Sequence, residues 1–478
     1  MSAADFPVPE LEPRARACAK RLLDAERVLL ASHIDADGLT SAGVAATALE
    51  RATIPFEVVF EKQLDEESIG EIAATEYDTV LFTDFGSGQL DVIAEHETAG
   101  DFTPIIADHH QPAAADTEYH LNPLLEGING AKELSGAGSA YVLARALAEE
   151  TLDSPRGDNR DLAALAVVGA VGDMQASSGE LHGANSAIVT EGVEAGVLAE
   201  AKDLAVYGKQ TRPLPKLLEY ASDVRIPGVT NDERGAVSFL DGLDVDCRAD
   251  GEWKRWVDLD DAERQVIASA LVRHAVGRGV PAYKIDRLVG TTYTLCEEVE
   301  GTELRDASEF STLLNATARY ERADVGLSVC LGDRDGALKR ARELLRNHRR
   351  NLSEGIQWVE QHGVTLEENV QWFDAGDEIR ETIVGIIAGM AMGTSGISRD
   401  TPILAFARKS DEETKVSGRG TGPLVGDGLD LSVAIGEAAR EVGGDGGGHD
   451  VAAGATIPAG NERKFVEHVD RLVGEQLG

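Results

Sequence analysis

The chain has 478 residues and a formal net charge of −39, from 84 acidic and 45 basic side chains. No stretch is apolar for long enough to span a bilayer, and Met1 to Arg14 lacks the basic-then-apolar pattern of a signal peptide. Four scattered cysteines, Cys18, Cys247, Cys296 and Cys330, form no C-x-x-C pair, which excludes a disulfide framework and a thiolate zinc site. A cytosolic protein of two or three domains is expected, with no membrane partner.

The acid is spread along the chain rather than gathered in a tail. Such a surface repels polyanions in dilute buffer. At molar salt the Debye length is roughly 3 Å and that repulsion is screened. The composition reads as a salt-in halophile's adaptation and does not exclude a nucleic-acid substrate.

In chain order, Arg27 to Ala31 is an apolar run expected to be a buried strand. It feeds Ser32-His33-Ile34-Asp35-Ala36-Asp37-Gly38, and Leu39 to Ala52 has helical spacing. His33, Asp35 and Asp37 then fall where a parallel strand hands over to a helix, the edge at which open α/β sheets bind ligands. Alternate residues of an extended segment point the same way, so the three can converge. Phe56 to Phe60 is a second strand and Glu66 to Ala74 a short helix. Thr79 to Thr83 is a third strand, ending in Asp84-Phe85-Gly86. After a helix from Gln89 to His96, Pro104 to Ala107 is a fourth strand, ending in Asp108-His109-His110-Gln111-Pro112. Helices follow at Ala137 to Glu150, at Asp161 to Val171 running into Gly172-Asp173, and at Gly183 to Gly196. The alternation predicts a doubly wound parallel sheet over residues 1–196.

Residues 197–335 read as a helical or mixed segment, with helices at Asp261 to Arg278 and Ala307 to Ala318. Asp335 to Gln361 is one long helical run carrying Lys339, Arg340, Arg342, Arg346, His348, Arg349 and Arg350, a basic linker spanning 336–362. Its side chains suit either a phosphate-tracking face or a solvated face paired with carboxylates. A smaller α/β unit follows over 363–478. Strands are expected at Val370 to Phe373, Ile403 to Ala407 and the sheet-edge stretch Lys415 to Gly420, and helices at Ile379 to Met392 and Leu431 to Val442. Gly446-Gly447-Gly448-His449 follows. Glycine lets backbone N–H groups approach an anion closely, and Ser417 and Arg419 add a hydroxyl and a fork-shaped cation suited to phosphate.

The acids and histidines at successive element ends, His33/Asp35/Asp37, Asp84, Asp108/His109/His110 and Asp173, have the number and type of donors that a pair of divalent cations needs. Imidazole and carboxylate donors suit Mn²⁺, Mg²⁺ or Fe²⁺.

The H-x-D-x-D-G stretch, Asp84, and Asp108-His109-His110 with Pro112 resemble the DHH phosphoesterase superfamily. Ser135 to Ala140 and Gly172-Asp173 resemble its next motifs, and the Gly446 to His449 run resembles its associated C-terminal domain. Within the superfamily the chain is most similar to archaeal RecJ-like single-strand exonucleases, including Glu309 to Ala316, and the resemblance covers nearly the whole chain. It implies that His33 and Asp35 bind a first metal, that Asp84 bridges, and that Asp37, His109 and Asp173 bind a second. His110 would face the scissile phosphate, and Asp108 would orient a histidine ligand. It also implies two Mn²⁺ ions with Mg²⁺ tolerated, and a single-stranded DNA or RNA substrate. Ser417, Arg419, Gly446, Gly447, Gly448 and His449 would contact that substrate. Relatives that bind the GINS complex of the replicative helicase suggest residues 197–335 as a partner-binding segment. An oligoribonuclease acting on very short strands keeps the same chemistry and is the enzymatic alternative.

Overall fold

The structure, a computed structural model, describes residues 6–151, 157–176, 179–221, 224–394 and 396–478. The chain divides into two compact units, Met1–Ala341 and Arg342–Gly478. Among the described residues no helix is long and apolar enough to cross a membrane.

The first unit opens with α1 (Glu12–Leu23), β1 (Val28–His33), α2 (Ala36–Ala52), β2 (Phe56–Glu61), α3 (Glu66–Ala73) and β3 (Thr79–Thr83). It continues through α4 (Leu90–Ala99), β4 (Thr103–Ala107), β5 (His120–Leu121), α5 (Gly136–Glu150), α6 (Ala163–Gly172) and α7 (Gly183–Glu194). The five strands form a parallel sheet in the order β2-β1-β3-β4-β5. β3 is buried along its whole length and β4 over its last four residues, as expected of parallel strands covered on both faces. In this strand order the connections reverse direction between β1 and β3, and a crevice opens there at the strands' C-terminal ends. α2 packs on α5 and α6, and small residues allow the close approach: a Cβ on Gly169 of α6 would stand 2.4 Å from Thr40 Oγ1 of α2.

α2 begins three residues before the expected Leu39, because the Asp35 side chain caps it by accepting the Gly38 N–H. His33, Asp35 and Asp37 therefore do not lie on one extended segment. His33 ends the strand, Asp35 is the cap, and Asp37 sits in the first helical turn.

The middle of the chain holds more strand than its sequence suggests. β6 (Leu198–Leu204) leads to α8 (Leu214–Glu219), α9 (Glu233–Asp241), the short pair β7 (Arg248–Ala249) and β8 (Glu252–Trp253), α10 (Asp261–Gly277) and α11 (Ala282–Ile285). β9 (Val289–Leu295) then returns to pair antiparallel with β6. The helices between them enclose a core of their own around Trp256, Leu217, Ile267 and Leu271. α12 (Ala307–Arg319) comes back onto α2 and α6, followed by α13 (Ala323–Cys330) and α14 (Gly336–His362). The division between the units falls inside α14, where Lys339, Arg340, Arg346, Arg349 and Arg350 are exposed.

The second unit adds β10 (Thr365–Leu366), β11 (Gln371–Asp374), α15 (Glu381–Ala391), β12 (Ile403–Arg408), β13 (Glu413–Arg419) and α16 (Gly422–Gly426). α17 (Leu431–Glu441), β14 (Asp445–Gly448), β15 (Ala452–Pro458) and α18 (Glu462–Leu477) close it. Its mixed sheet has the order β10-β11-β12-β13-β15-β14. Along β12, Ile403, Ala405 and Ala407 join the core with α15, and Leu404 and Phe406 join the core with α17 and α18. The stretch expected at a sheet edge, Lys415 to Gly420, is an interior strand bonded on both sides. The glycine run is itself the edge strand. Its lack of side chains lets it lie against β15: a Cβ on Gly446 would meet the Ala455 Cβ at 2.7 Å.

Candidate metal centre

The acid and histidine residues of the first unit gather at the β1/β3 reversal. Asp84 follows the last residue of β3 with φ +60, a left-handed conformation that costs a non-glycine residue energy and is concentrated at functional sites. Its N–H is bonded to the Ala107 carbonyl, and its side chain is 2% exposed. Asp108, His109 and His110 follow β4, and Asp173 caps the C-terminus of α6.

Among the described residues three donor groups overlap here, one of them made of Asp84, Asp108, His109 and His110. His33, Asp35 and Asp84 each offer a ligand atom within 4.8 Å of the others, and so do Asp37, His109 and Asp173. Asp84 lies between them: Oδ2 is 3.5 Å from His33 Nδ1 and Oδ1 is 3.3 Å from His109 Nε2. Oδ1 is buried and has no hydrogen-bond partner among the described residues, an arrangement that is costly unless a cation meets it.

The far nitrogen of each ring faces a backbone carbonyl. His33 Nε2 is 3.2 Å from the Lys62 carbonyl, and His109 Nδ1 is 2.8 Å from that of Gly130. A carbonyl only accepts, so each ring carries a proton there and presents its other nitrogen, Nδ1 of His33 and Nε2 of His109, to the carboxylates. That is the tautomer arrangement of metal-binding histidine.

Four carboxylates around two imidazoles leave excess negative charge. Burial, then the neighbouring Asp84 and Asp173 carboxylates, hold Asp37 well above the usual carboxylate range. Burial also raises Asp173, against the pull of His109. Burial opposes charge on His33, but Asp35 and Asp84 outweigh it and lift its pKa to about 11. Four buried or half-buried carboxylates around two imidazoles suit divalent cations in place of protons, so the residues present fit a pair of such ions.

Asp108 and His110 form a separate device. Asp108 is fully buried; Oδ1 accepts from the His110 ring Nδ1 at 2.8 Å and from the N–H groups of His109 and His110, and Oδ2 accepts from the Ser87 N–H. The carboxylate holds the His110 ring directly and His109 through its backbone N–H. Donating to Asp108 raises the His110 pKa, and the ring stays 55% exposed.

Several supporting groups carry no signal in their residue type. The Gly136 and Ala137 N–H groups, at the positive end of α5, donate to Asp37 at 2.7 and 3.0 Å. Gln175 Nε2 donates to Asp173 Oδ2 and to the Gly130 carbonyl, both at 2.8 Å, tying Asp173 to the oxygen that holds His109. Asn315 Oδ1, within Glu309 to Ala316, accepts the Ala36 N–H at 3.1 Å and fixes the loop between Asp35 and Asp37. Two stretches offered a cue: the small-residue run Ser135 to Ala140 opening a helix, and Glu309 to Ala316, which contains Asn315.

In the second unit, Ser417 and Arg419 lie on β13, Gly446, Gly447 and Gly448 on β14, and His449 follows at the turn into β15. Arg419 pairs with Ala452, and Gly448 with Ala453, so they share one end of the sheet. Gly385 of α15 leaves room beside them; a Cβ there would lie 2.5 Å from Arg419 Nη2 and 2.6 Å from Ser417 Oγ.

A parallel sheet of this order with an Asp/His cluster at its reversal is a doubly wound α/β domain with a ligand-binding crevice at the switch point. Residues 27–170 match the DHH family N-terminal domain, 206–289 the DHH-CID domain and 368–475 the DHHA1 domain. An uncharacterised protein of Methanocaldococcus jannaschii is 30% identical over 98% of both chains. The chain belongs to the DHH family. The single-stranded-DNA-specific exonuclease RecJ of Bacillus subtilis is 27% identical over 40% of this chain, which spans 24% of that protein. RecJ of Thermus thermophilus, solved with Mn²⁺, matches with a TM-score of 0.60 and 18% identity over 99% of this chain and 56% of its own. Cdc45 of Entamoeba histolytica matches at 0.64, with 12% identity over 97% of this chain and 98% of its own. At these identities the solved structures establish a shared RecJ-like fold.

Proposed function

We propose that the chain is a two-metal phosphodiesterase that trims single-stranded nucleic acid from an end and releases nucleoside monophosphates. The observation that carries this reading is Asp84, one buried carboxylate with an oxygen toward each of two histidines. His33, Asp35 and Asp84 would hold one cation, and Asp37, His109 and Asp173, with Asp84, the other. When bound, such ions supply a water acidified to near neutrality and neutralise charge developing on phosphate. The chain's own part is to fix these donors through Gly130, Lys62, Gly136 and Gln175. His110, its Nδ1 tied to Asp108, presents its other nitrogen outward to donate to a phosphate oxygen. Burial of the cluster strengthens each of these interactions.

Ser417, Arg419, Gly446, Gly447, Gly448 and His449 would hold substrate phosphate on the second unit. We take the metal as Mn²⁺, with Mg²⁺ tolerated, in keeping with RecJ structures solved with either ion. The Bacillus RecJ supports a single-stranded substrate. The likeness to Cdc45 supports a second role, docking to GINS through residues 197–335. The filled donor set favours an enzyme over a scaffold alone, and affinity capture with purified GINS tests the docking role.

DNA and RNA oligomers labelled at either end, incubated with Mn²⁺ in molar KCl, test the activity. Stepwise loss of mononucleotides from one end is expected, abolished by chelation. Asp84→Ala should be the most damaging single change, because it removes a donor from both groups. Substantial cleavage by that variant at wild-type purity would refute the two-metal reading.

A further inference from the structure

A cavity of about 310 Å³ lies in the first unit beside Asp173, lined by the residues that flank it in the chain, Val171 and Met174. Ala176 lines it as well, and its other walls come from the segment after β6, from β9 and from the start of α12, including Tyr207, Lys209 and Tyr293. The volume is at the small end of the range for ligand sites, enough for one planar heterocycle and its sugar.

Three features distinguish it from an ordinary surface crevice. Met174 is 73% exposed and has φ +60. A bulky apolar residue is thus held in a strained backbone state directly after a candidate metal donor, a combination typical of functional positions. Its thioether and Tyr207, whose ring already carries the Arg212 guanidinium 4.7 Å from its centroid, give soft, polarisable walls of the kind that aromatic rings pack against. Lys209 is 6% exposed. Among the described residues its ammonium meets Asp203 at 3.3 Å and Asp306 at 3.7 Å. An ammonium has three donors, and these two loose contacts leave one for a ligand. The Asp306 carboxylate also caps α12 through the Ser308 and Glu309 N–H groups, so the floor of the cavity is rigid.

We propose that this cavity receives the nucleobase of a nucleotide next to the scissile phosphate, the ring lying against Met174 and Tyr207 and an acceptor on its edge meeting Lys209. Every base has a face to stack and a ring-edge acceptor, so the pocket positions a strand without choosing its sequence. This rests on the nucleic-acid reading above and adds to it a base-dependent contact.

The test uses the full chain with Mn²⁺ in molar KCl and single-stranded 12-mers, intact or carrying one abasic residue at each of the first three positions from the attacked end. Loss of the base at one position should lower kcat/KM about ten- to a hundredfold, the usual effect of one stacked base. Ala176→Trp, which fills the cavity, and the double variant Met174→Ala/Tyr207→Ala should cut intact strands at the wild-type abasic rate. An abasic residue should cost these variants nothing more, and their Mn²⁺ affinity should be unchanged. A wild type indifferent to every abasic position, or variants that keep its discrimination, would overturn the proposal. A second readout is independent of cleavage. In Ca²⁺, 2-aminopurine at the sensitive position, or at each of the three if none is cut, should change its fluorescence on binding wild type and not on binding Ala176→Trp. If no strand is cleaved but this difference is present, the exonuclease reading fails and the pocket stands. If the difference is absent, the pocket fails as well.

Discussion

Gly136→Ala probes the centre without replacing a donor. A Cβ at this position would stand 2.3 Å from Asp84 Oδ1 and 2.7 Å from its Cβ and Cγ, where an ordinary contact is 3.4 Å or more. Neither side can easily give. The Gly136 N–H is bonded to Asp37 Oδ2 at 2.7 Å, and Asp84 is fixed by its left-handed backbone and its bond to Ala107. Relief requires Asp84 Oδ1 to retreat by about 1 Å, several times the ~0.2 Å tolerance of a metal–ligand distance. Overpacking of this kind costs about 1–3 kcal/mol of stability, and disturbing the support of a ligand lowers metal affinity roughly 10- to 100-fold. Calorimetric titration with Mn²⁺ in molar KCl, beside thermal unfolding, measures both. Gly70→Ala, whose Cβ would meet nothing within 4 Å, is the control. A Gly136→Ala protein that binds two Mn²⁺ per chain at wild-type affinity would refute the bridging geometry.

Other outcomes are expected on the same footing. Circular dichroism across a KCl titration should show the fold loosening below about molar salt, where repulsion among 84 acidic residues against 45 basic ones is no longer screened; an unchanged fold in dilute buffer would leave the charge without that explanation. Burial pushes Glu309 up to about 7, against hydrogen bonds from Thr211 and the Gln210 N–H. The folded pKa lies above the unfolded one, so the stability Glu309 contributes is full below about pH 4.5 and lost as pH rises through 7, by at most about 3 kcal/mol. Urea unfolding of Glu309→Gln should therefore vary less between pH 5 and 8 than that of wild type. His449→Ala and Arg419→Ala should leave Mn²⁺ affinity intact and lower kcat/KM on strands of a few nucleotides about ten- to a hundredfold, the value of a charge-assisted contact of roughly 1.5–3 kcal/mol; loss of metal, or normal cleavage at every length, would count against a phosphate contact.

The parallel sheet was legible because β1, β3 and β4 are short apolar runs, each followed by a polar cluster. The middle segment was not. β6, Leu198 to Leu204, reads Leu-Ala-Glu-Ala-Lys-Asp-Leu, a helix-favouring composition, and only pairing with β9 across the intervening core makes it a strand. β14 was hidden for the opposite reason. A run of three glycines has no side-chain pattern, and its extended form depends on β15 lying close enough to exclude a Cβ.

At the metal centre, residue chemistry could reveal the donors but not what holds them. His33, Asp35, Asp37, Asp84, His109 and Asp173 stand out as acids and imidazoles at element ends. Their supports are a Lys62 carbonyl, a Gly130 carbonyl and two N–H groups of α5, which any residue could supply. These supports have an energetic consequence. They gather four carboxylates around two imidazoles in one small volume, so negative charge is in excess. Asp84 Oδ1 is left without a partner, and Asp37 is held above its ordinary range by burial and by Asp84 and Asp173. A pair of divalent cations would relieve this concentration of charge. On the two-metal proposal, metal binding and the stability of the first unit would be one equilibrium, with bound ions offsetting the strain at Asp84.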